Sequence, residues 1–463
     1  MRNRLAALAA CLTLTAASLA LAQAAPAPSA ALAPDTSWVA RSILYEVNVR
    51  DFSASGDLRG VTAGLGRVQA AGADVVWLMP VQPPGVLNRK GSLGSPYGIR
   101  DYGAIDSAFG TQADFRALVR AAHARGLNVI LDWVPDHTAW DNVWVAEHPE
   151  YYVRSEGGAL TVPRDPEGKP TDWTDVVQLD YRNPGLRRAM IDAMRSWLVG
   201  SDLDGFRVDV AGFIPDDFWR EATAALRAAA RRPILLLAEA GELKMHRLGF
   251  DLSYGWDTYS RLKAVFRGAP ADTLVRSEVS VLAAMPPGGM RMRFTTNHDE
   301  TAWDNPPVTL FGGAAQARAA YVAIALLPGR PLLYDGQEVE SPQKLRLFER
   351  DVLAWDQPHA AEARAFYRAV EHLAHTDPSF IRGAFRAVGT SAPADVIAYA
   401  RGDAAVFVNP RSREIRVAVT DYDVTGARDL LTGRTLRGDT LTLPAYGAMV
   451  LARRSPWTGR APH

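Results

Sequence analysis

From residue 38 onward, short apolar runs alternate with longer stretches in which apolar side chains recur every three or four positions. The runs 43–49, 75–81, 127–134, 205–211, 234–240, 250–254, 290–296 and 331–334 have the length and composition of strands buried on both faces. Stretches 112–125, 186–199, 216–230 and 314–327 carry the helical period between them. Strict alternation of strand and helix predicts a parallel sheet covered by helices, and eight such strands predict closure into a (β/α)8 barrel. An open doubly wound sheet is the rival, but no glycine-rich phosphate loop follows the first run.

Two stretches break the rhythm. Residues 137–183 are too long and too rich in Pro, Gly, Asp and Trp for an ordinary connection, so a small domain is expected to be inserted there, after the third strand. Past a helix ending near Asp377, the runs 396–400, 404–408, 415–419 and 448–452 are strand-like and separated by turn residues, as in an antiparallel β-sandwich. The expected fold is thus α/β. Its barrel spans 37–136 and 184–378, its insertion 137–183 and its C-terminal sandwich 379–455.

Residues 1–24 have the pattern of a secretory signal: Arg2 and Arg4, an apolar run over 5–21, and the small-residue site Ala22-Gln23-Ala24. An Ala- and Pro-rich linker occupies 25–36. The alternative of an uncleaved anchor must accommodate Thr13, Thr15 and Ser18 within the run. Leu8-Ala9-Ala10-Cys11 also matches a lipoprotein processing box, which would leave a lipid anchor on Cys11. Either route leads to a secreted or periplasmic protein with no stable membrane span. Because Cys11 is the only cysteine, cleavage at 24 leaves no disulfide, and stability must come from packing. Fifty-one basic side chains balance 51 acidic ones, so no positive excess exists to hold a nucleic acid by phosphate neutralisation. Nothing in the sequence sets an oligomeric state.

In a parallel barrel, reactive groups collect where strands end, so polar residues closing apolar runs are the candidates. Four runs close this way: Asp132-Trp133-Val134-Pro135-Asp136-His137, Phe206-Arg207-Val208-Asp209, Leu237-Ala238-Glu239 and Thr296-Asn297-His298-Asp299. A single carboxylate after a strand is as well explained by capping of the next helix. All four together would bring Asp209, Glu239 and Asp299 to one rim beside two histidines and an arginine, which capping does not require. Arg207 lies two residues before Asp209, so the two side chains point the same way on a strand.

In this order, the four segments resemble the conserved regions of the α-amylase superfamily of glycoside hydrolases. The likeness extends to Tyr45-Glu46-Val47-Asn48-Val49-Arg50-Asp51-Phe52, Ser95-Pro96-Tyr97-Gly98-Ile99-Arg100-Asp101-Tyr102 and Tyr334-Asp335-Gly336-Gln337-Glu338. The resemblance implies a retaining hydrolase of α-1,4-glucans or maltooligosaccharides. Asp209 would be the nucleophile, Glu239 the general acid and base with a raised pKa, and Asp299 the stabiliser of the transition state. Tyr97, His137, Arg207 and His298 would bind the sugar in the cleavage subsite, and Asp132 would hold Arg207 from behind. Trp140, Trp144 and Trp173 are equally readable as sugar platforms or as the core of the insertion.

The chain departs from the family pattern at four positions. Asp136 replaces an asparagine that commonly ligates a structural calcium, and Gln178 stands where another calcium-binding carboxylate is expected, which leaves Asp136 a tentative metal ligand. Gly212 and Phe213 occupy the positions of a Lys-His pair that contacts sugar on the leaving side. Two further readings stay open: a transglycosylase or α-glucosidase acting on α-1,6 or α,α-1,1 linkages, and a non-catalytic glycan-binding barrel. None of the three carboxylates is missing, as the last would lead one to expect.

Overall fold

The computed structural model describes residues 38–453; the expected signal 1–24 with Cys11, the linker 25–36 and residues 454–455 lie outside them. Eight strands form a closed parallel barrel: β1 Leu44–Val47, β2 Val75–Leu78, β3 Asn128–Trp133, β4 Gly205–Val208, β5 Leu235–Ala238, β6 Leu252–Tyr254, β7 Met290–Arg293 and β8 Arg330–Tyr334. Each pairs with its neighbours in sequence, and β8 closes on β1 through Leu44 opposite Leu332. All eight coincide with runs read from the sequence, and the doubly wound alternative is excluded by the closure.

Every second side chain points into the barrel, and its chemistry changes along the axis. At the N-terminal end Leu44, Val75, Ile130, Leu235 and Leu252 pack into one apolar cluster. One pleat further on come Glu46, Trp77, Asp132 and Arg207, all buried. The barrel is thus plugged by hydrocarbon below and by charge above, which places Glu46, Asp132 and Arg207 toward the C-terminal mouth. Gly205 is required at the start of β4: its φ is 146°, and a Cβ there would lie 1.9 Å from the Leu235 carbonyl oxygen.

The surrounding helices begin at identifiable caps. Thr111 and Asp114 form a reciprocal capping box at the start of Gln112–His123, and Asn183 accepts from Gly185 N ahead of Pro184–Gly200, with proline in the first turn. The inserted segment folds around an antiparallel pair, His137–Ala139 with Val176–Gln178. Its Trp144 packs at 4.8 Å from the Tyr102 ring and 5.8 Å from Tyr151, and Trp140 donates to the Thr174 carbonyl. Trp144 is therefore packing rather than a sugar platform.

The C-terminal region has two sheets. Strands β9 Phe385–Ala387, β10 Ile397–Arg401, β11 Ala404–Val408, β13 Arg428–Asp429 and β15 Ala448–Ala452 form one, in the order β9-β10-β11-β15-β13, while β12 Ile415–Ala418 pairs with β14 Thr440–Leu443. One face of β10 and β11, with Ala398, Ala400, Ala405 and Phe407, packs on Ile415, Val417, Leu441 and Leu443. The opposite face, with Ile397, Tyr399, Val406 and Val408, joins the core outside the barrel. Tyr399 and Arg401 donate to carbonyls of 322, 323 and 326 at the end of helix Ala314–Ala325. Each fully buried aliphatic or aromatic side chain in such an interface contributes roughly 1.5–3 kcal/mol, so the sandwich is built onto the barrel rather than tethered to it. Among the described residues, no helix is long and apolar enough to cross a membrane.

Candidate active site

Above the charged layer lies a cavity of about 410 Å³ lined by Tyr97, His137, Asp209, Glu239, His298 and Asp299, with Lys90, Trp173, Trp303 and Phe348 around it. The backbone places the two central carboxylates by extending the barrel ladder one residue past each strand. Asp209 N donates to the Trp133 carbonyl at 2.8 Å, and Glu239 N donates to the Val208 carbonyl at 2.9 Å. Asp299 comes from the first turn of helix His298–Trp303, which Asn297 caps by accepting from Glu300 N at 2.9 Å.

Arg207, fully buried, organises the floor. Its Nη1 donates to Asp132 Oδ1 at 2.8 Å and to Asp209 Oδ1 at 2.9 Å, and its Nε donates to the Tyr254 hydroxyl at 3.1 Å. Nη2 lies 2.9 Å from Glu239 Oε2 as a charge contact without a well-aligned hydrogen bond. The rings of Trp77, Tyr97 and Tyr254 surround the guanidinium at 5.3–5.7 Å. Burying this charge would be prohibitive alone; three carboxylates and three aromatic faces offset it. Asp132 also accepts from Trp77 Nε1 at 3.1 Å and from the Tyr97 hydroxyl at 3.0 Å, so it holds Arg207 and Tyr97 from beneath the cavity.

A second network runs through His298. Its Nδ1 contacts Glu46 Oε1 at 2.5 Å, its Nε2 lies 2.8 Å from the Tyr97 hydroxyl and 3.2 Å from Asp299 Oδ2, and its ring stacks on Tyr97 at 5.1 Å. Burial works against charge on His298, yet Asp299 and Glu46 prevail and hold its pKa well above the ordinary imidazole value. Burial raises Asp299, but His298 outweighs it and the carboxyl ends below its usual range. His137 follows the same pattern: burial lowers it, and Asp136 at 3.3 Å brings the net shift upward.

Asp209 differs. Burial pushes its carboxyl up to about 8, with Arg207 pulling down and the charge of Glu239 pushing further up. Attack on carbon needs the ionised form of Asp209, which Arg207 Nη1 at 2.9 Å favours against burial.

The structure therefore gathers Tyr97, His137, Arg207, Asp209, Glu239, His298 and Asp299 into one site, with Asp132 behind it. Sequence reasoning missed Glu46, Tyr254 and Val210. Glu46 follows Leu44 by two residues at the end of β1, a signal of the same kind that singled out Asp132. Val210 had no such signal: its φ is 35°, a left-handed conformation costly for a β-branched residue, and its N–H donates to Glu239 Oε2 at 2.8 Å. The strain fixes one catalytic-rim oxygen.

Asp136 does not fit a calcium cage. Its Oδ2 faces His137 Nδ1, the neighbouring Asp180 is engaged by Arg182 at 2.7 and 2.8 Å, and Gln178 carries no charge. Among the described residues, no group of three or more His, Cys, Asp or Glu side chains is arranged to hold a metal ion. In this arrangement Asp136 serves as the hydrogen-bond partner of His137.

Fold and rim together define a parallel-barrel protein with an acidic, arginine-organised pocket at its C-terminal mouth. The sequence profile "Alpha amylase, catalytic domain" matches residues 45–178. The crystal structure of the noncanonic maltogenic alpha-amylase AmyB from Thermotoga neapolitana superposes with a TM-score of 0.77 at 30% identity, covering 89% of this chain and 99% of that one. An alpha-amylase from Lactobacillus plantarum gives the same values. Alpha-amylase MalA of Haloarcula japonica is 31% identical over 395 residues, 80% of this chain. Trehalose synthase/amylase TreS of Mycobacterium tuberculosis is 35% identical over 226 residues, 42% of this chain. The chain belongs to the α-amylase family of glycoside hydrolases. It spans 55% of the length of MalA and 36% of that of TreS.

Proposed function

We propose that the protein is a retaining α-glycoside hydrolase that cleaves α-1,4-glucosidic bonds of α-glucans or maltooligosaccharides. The observation that carries this reading is the grip of one guanidinium on Asp209 and Glu239, its Nη1 and Nη2 each 2.9 Å from a carboxylate oxygen. Two carboxyls on adjacent nitrogens of one group belong with the close-spaced geometry, about 5–5.5 Å, of double displacement rather than with the wider spacing that leaves room for water. Asp209 attacks the anomeric carbon while Glu239 gives its proton to the departing oxygen. Water, deprotonated by Glu239, then cleaves the glycosyl ester with net retention. Asp299, with His298 and His137, hydrogen-bonds the sugar as positive charge develops on its ring.

The leaving side favours a second reading, transfer to a sugar acceptor. Trp173 and Phe213 stack there at 5.9 Å with planes 10° apart, an apolar ledge on which a sugar face can rest. The names trehalose synthase and maltosyltransferase among the relatives are in keeping with it. In this reading residues 1–24 direct the protein's export. The test is proton NMR of maltooligosaccharide digestion with product chromatography. Initial α-anomers and short glucans are expected, and Asp209→Asn should lower the rate about 10⁴-fold or more. Initial β-anomers, or an unchanged rate in that variant, would refute the reading; products longer than the substrate would favour transfer.

A further inference from the structure

The cavity is bordered on one side by Lys90 of a strap, residues 89–94 between β2 and helix Gln112–His123, and by Ser95 just past it. At one end of the strap, Lys90 Nζ donates to the Asp172 carbonyl at 3.1 Å and pairs with the buried Asp175 at 3.2 Å, both in the inserted segment. At the other, Ser92 N donates to Glu349 Oε1 at 2.9 Å, Ser92 Oγ contacts Glu349 Oε2, and Leu93 N donates to the Phe348 carbonyl at 3.2 Å, all beyond β8. Arg50, buried past the end of β1, donates to the Gly94 carbonyl at 2.9 Å and the Leu347 carbonyl at 3.4 Å, pinning strap and β8 segment to the barrel. Trp303 packs edge-on against Phe348 at 5.8 Å and continues the wall.

Strand order fixes which part of a bound glucan meets this wall. Glu239, one residue past β5, stands where the departing oxygen must be, so the leaving portion extends toward β4 and β5. The sugar that stays behind lies between Asp209 and the cluster of Tyr97, His298 and Asp299, on the side of β7, β8, β1 and β2. The strap runs from the insertion after β3, across β2, to the segment after β8, and so crosses the path of any sugars attached beyond the retained one.

Resting on the hydrolase reading, we propose that the strap closes the glycone end of the cleft, so that the enzyme acts at non-reducing chain ends and releases a short unit instead of cutting within chains. Lys90, Ser92 and Glu349 are then specificity-determining residues that position the wall.

The test compares two p-nitrophenyl maltooligosaccharides of equal length, one with a free non-reducing end and one whose terminal glucose carries a 4,6-O-ethylidene group, with products resolved by chromatography. Wild-type protein should cleave the free substrate and leave the blocked one intact. The double variant Lys90→Ala with Glu349→Ala, which removes a side-chain anchor at each end of the strap, should raise the blocked-to-free rate ratio roughly tenfold. Equal cleavage of both substrates by wild-type protein would overturn the inference and leave the hydrolase reading standing. Cleavage of neither would overturn the hydrolase reading and this inference with it. The wild-type comparison is decisive even if the variant does not fold.

Discussion

His246 makes the fold sensitive to mild acid. It lies in the turn Leu243–Leu248 after β5, where its Nδ1 is 3.1 Å from the Phe250 carbonyl and its Nε2 is 3.0 Å from Ser253 Oγ. Arg291 Nη1 donates to the same hydroxyl at 2.9 Å. The hydroxyl therefore gives its proton to Nε2, and Nδ1–H gives its proton to the carbonyl, an arrangement only the neutral ring can complete. Burial, with Arg291 adding repulsion, lowers the His246 pKa to about 4 from the ordinary 6.5. An unfolded chain thus binds a proton between those values that the folded chain refuses, and stability falls as pH drops from 6.5 toward 4. At about 1.4 kcal/mol per pH unit, the full window costs about 3 kcal/mol, of which about 2 kcal/mol is lost between pH 7 and pH 5. His246→Gln retains an acceptor for Ser253 without the titration. Urea unfolding at both pH values should show wild-type protein losing about 2 kcal/mol more than the variant. Parallel losses in the two proteins would refute the argument.

Because burial raises the Asp209 carboxyl to about 8 and only its ionised form attacks carbon, kcat/KM should climb with pH through about 8; a profile already flat from about pH 6 would contradict it. Val210→Gly should relieve the left-handed strain and stabilise the fold by about 1 kcal/mol in thermal unfolding, while kcat falls because the loop holding Glu239 Oε2 loosens. The Glu371 carboxyl is fully buried, neither oxygen meets a hydrogen-bond donor, and burial with the charge of Asp74 raises its pKa well above the usual range. Glu371→Leu should therefore raise stability by about 1–2 kcal/mol, and a lowered melting temperature would show that the carboxyl has a structural role.

The barrel was legible because each strand is a short, doubly buried apolar run, a local property. Ends were less so: the run 205–211 yields only Gly205–Val208, because the turn at Val210 breaks the ladder just past Asp209. The rim acids were legible for the related reason that a polar residue closing an apolar strand has nowhere to point but the barrel mouth. Glu46 met that criterion, but its partner His298 lies 252 residues away, and the pairing exists only once β8 closes on β1. The strap could not be read at all. Lys90 and Asp175, or Ser92 and Glu349, are ordinary surface-type residues in sequence, and only closure of the barrel and return of the insertion bring them together. Trp144 and Trp173 look alike in the chain, yet one fills the insertion and the other lines the cavity, a distinction set by long-range packing.

The most direct test of the central claim is to trap the covalent intermediate. Glu239→Gln, incubated with α-maltosyl fluoride, still allows attack on carbon, because fluoride leaves without a proton, but removes the base that would activate water. Mass spectrometry of the digested protein should find a maltosyl adduct on the peptide that contains Asp209. An adduct on Asp299, or inverted product formed with no adduct, would contradict the account.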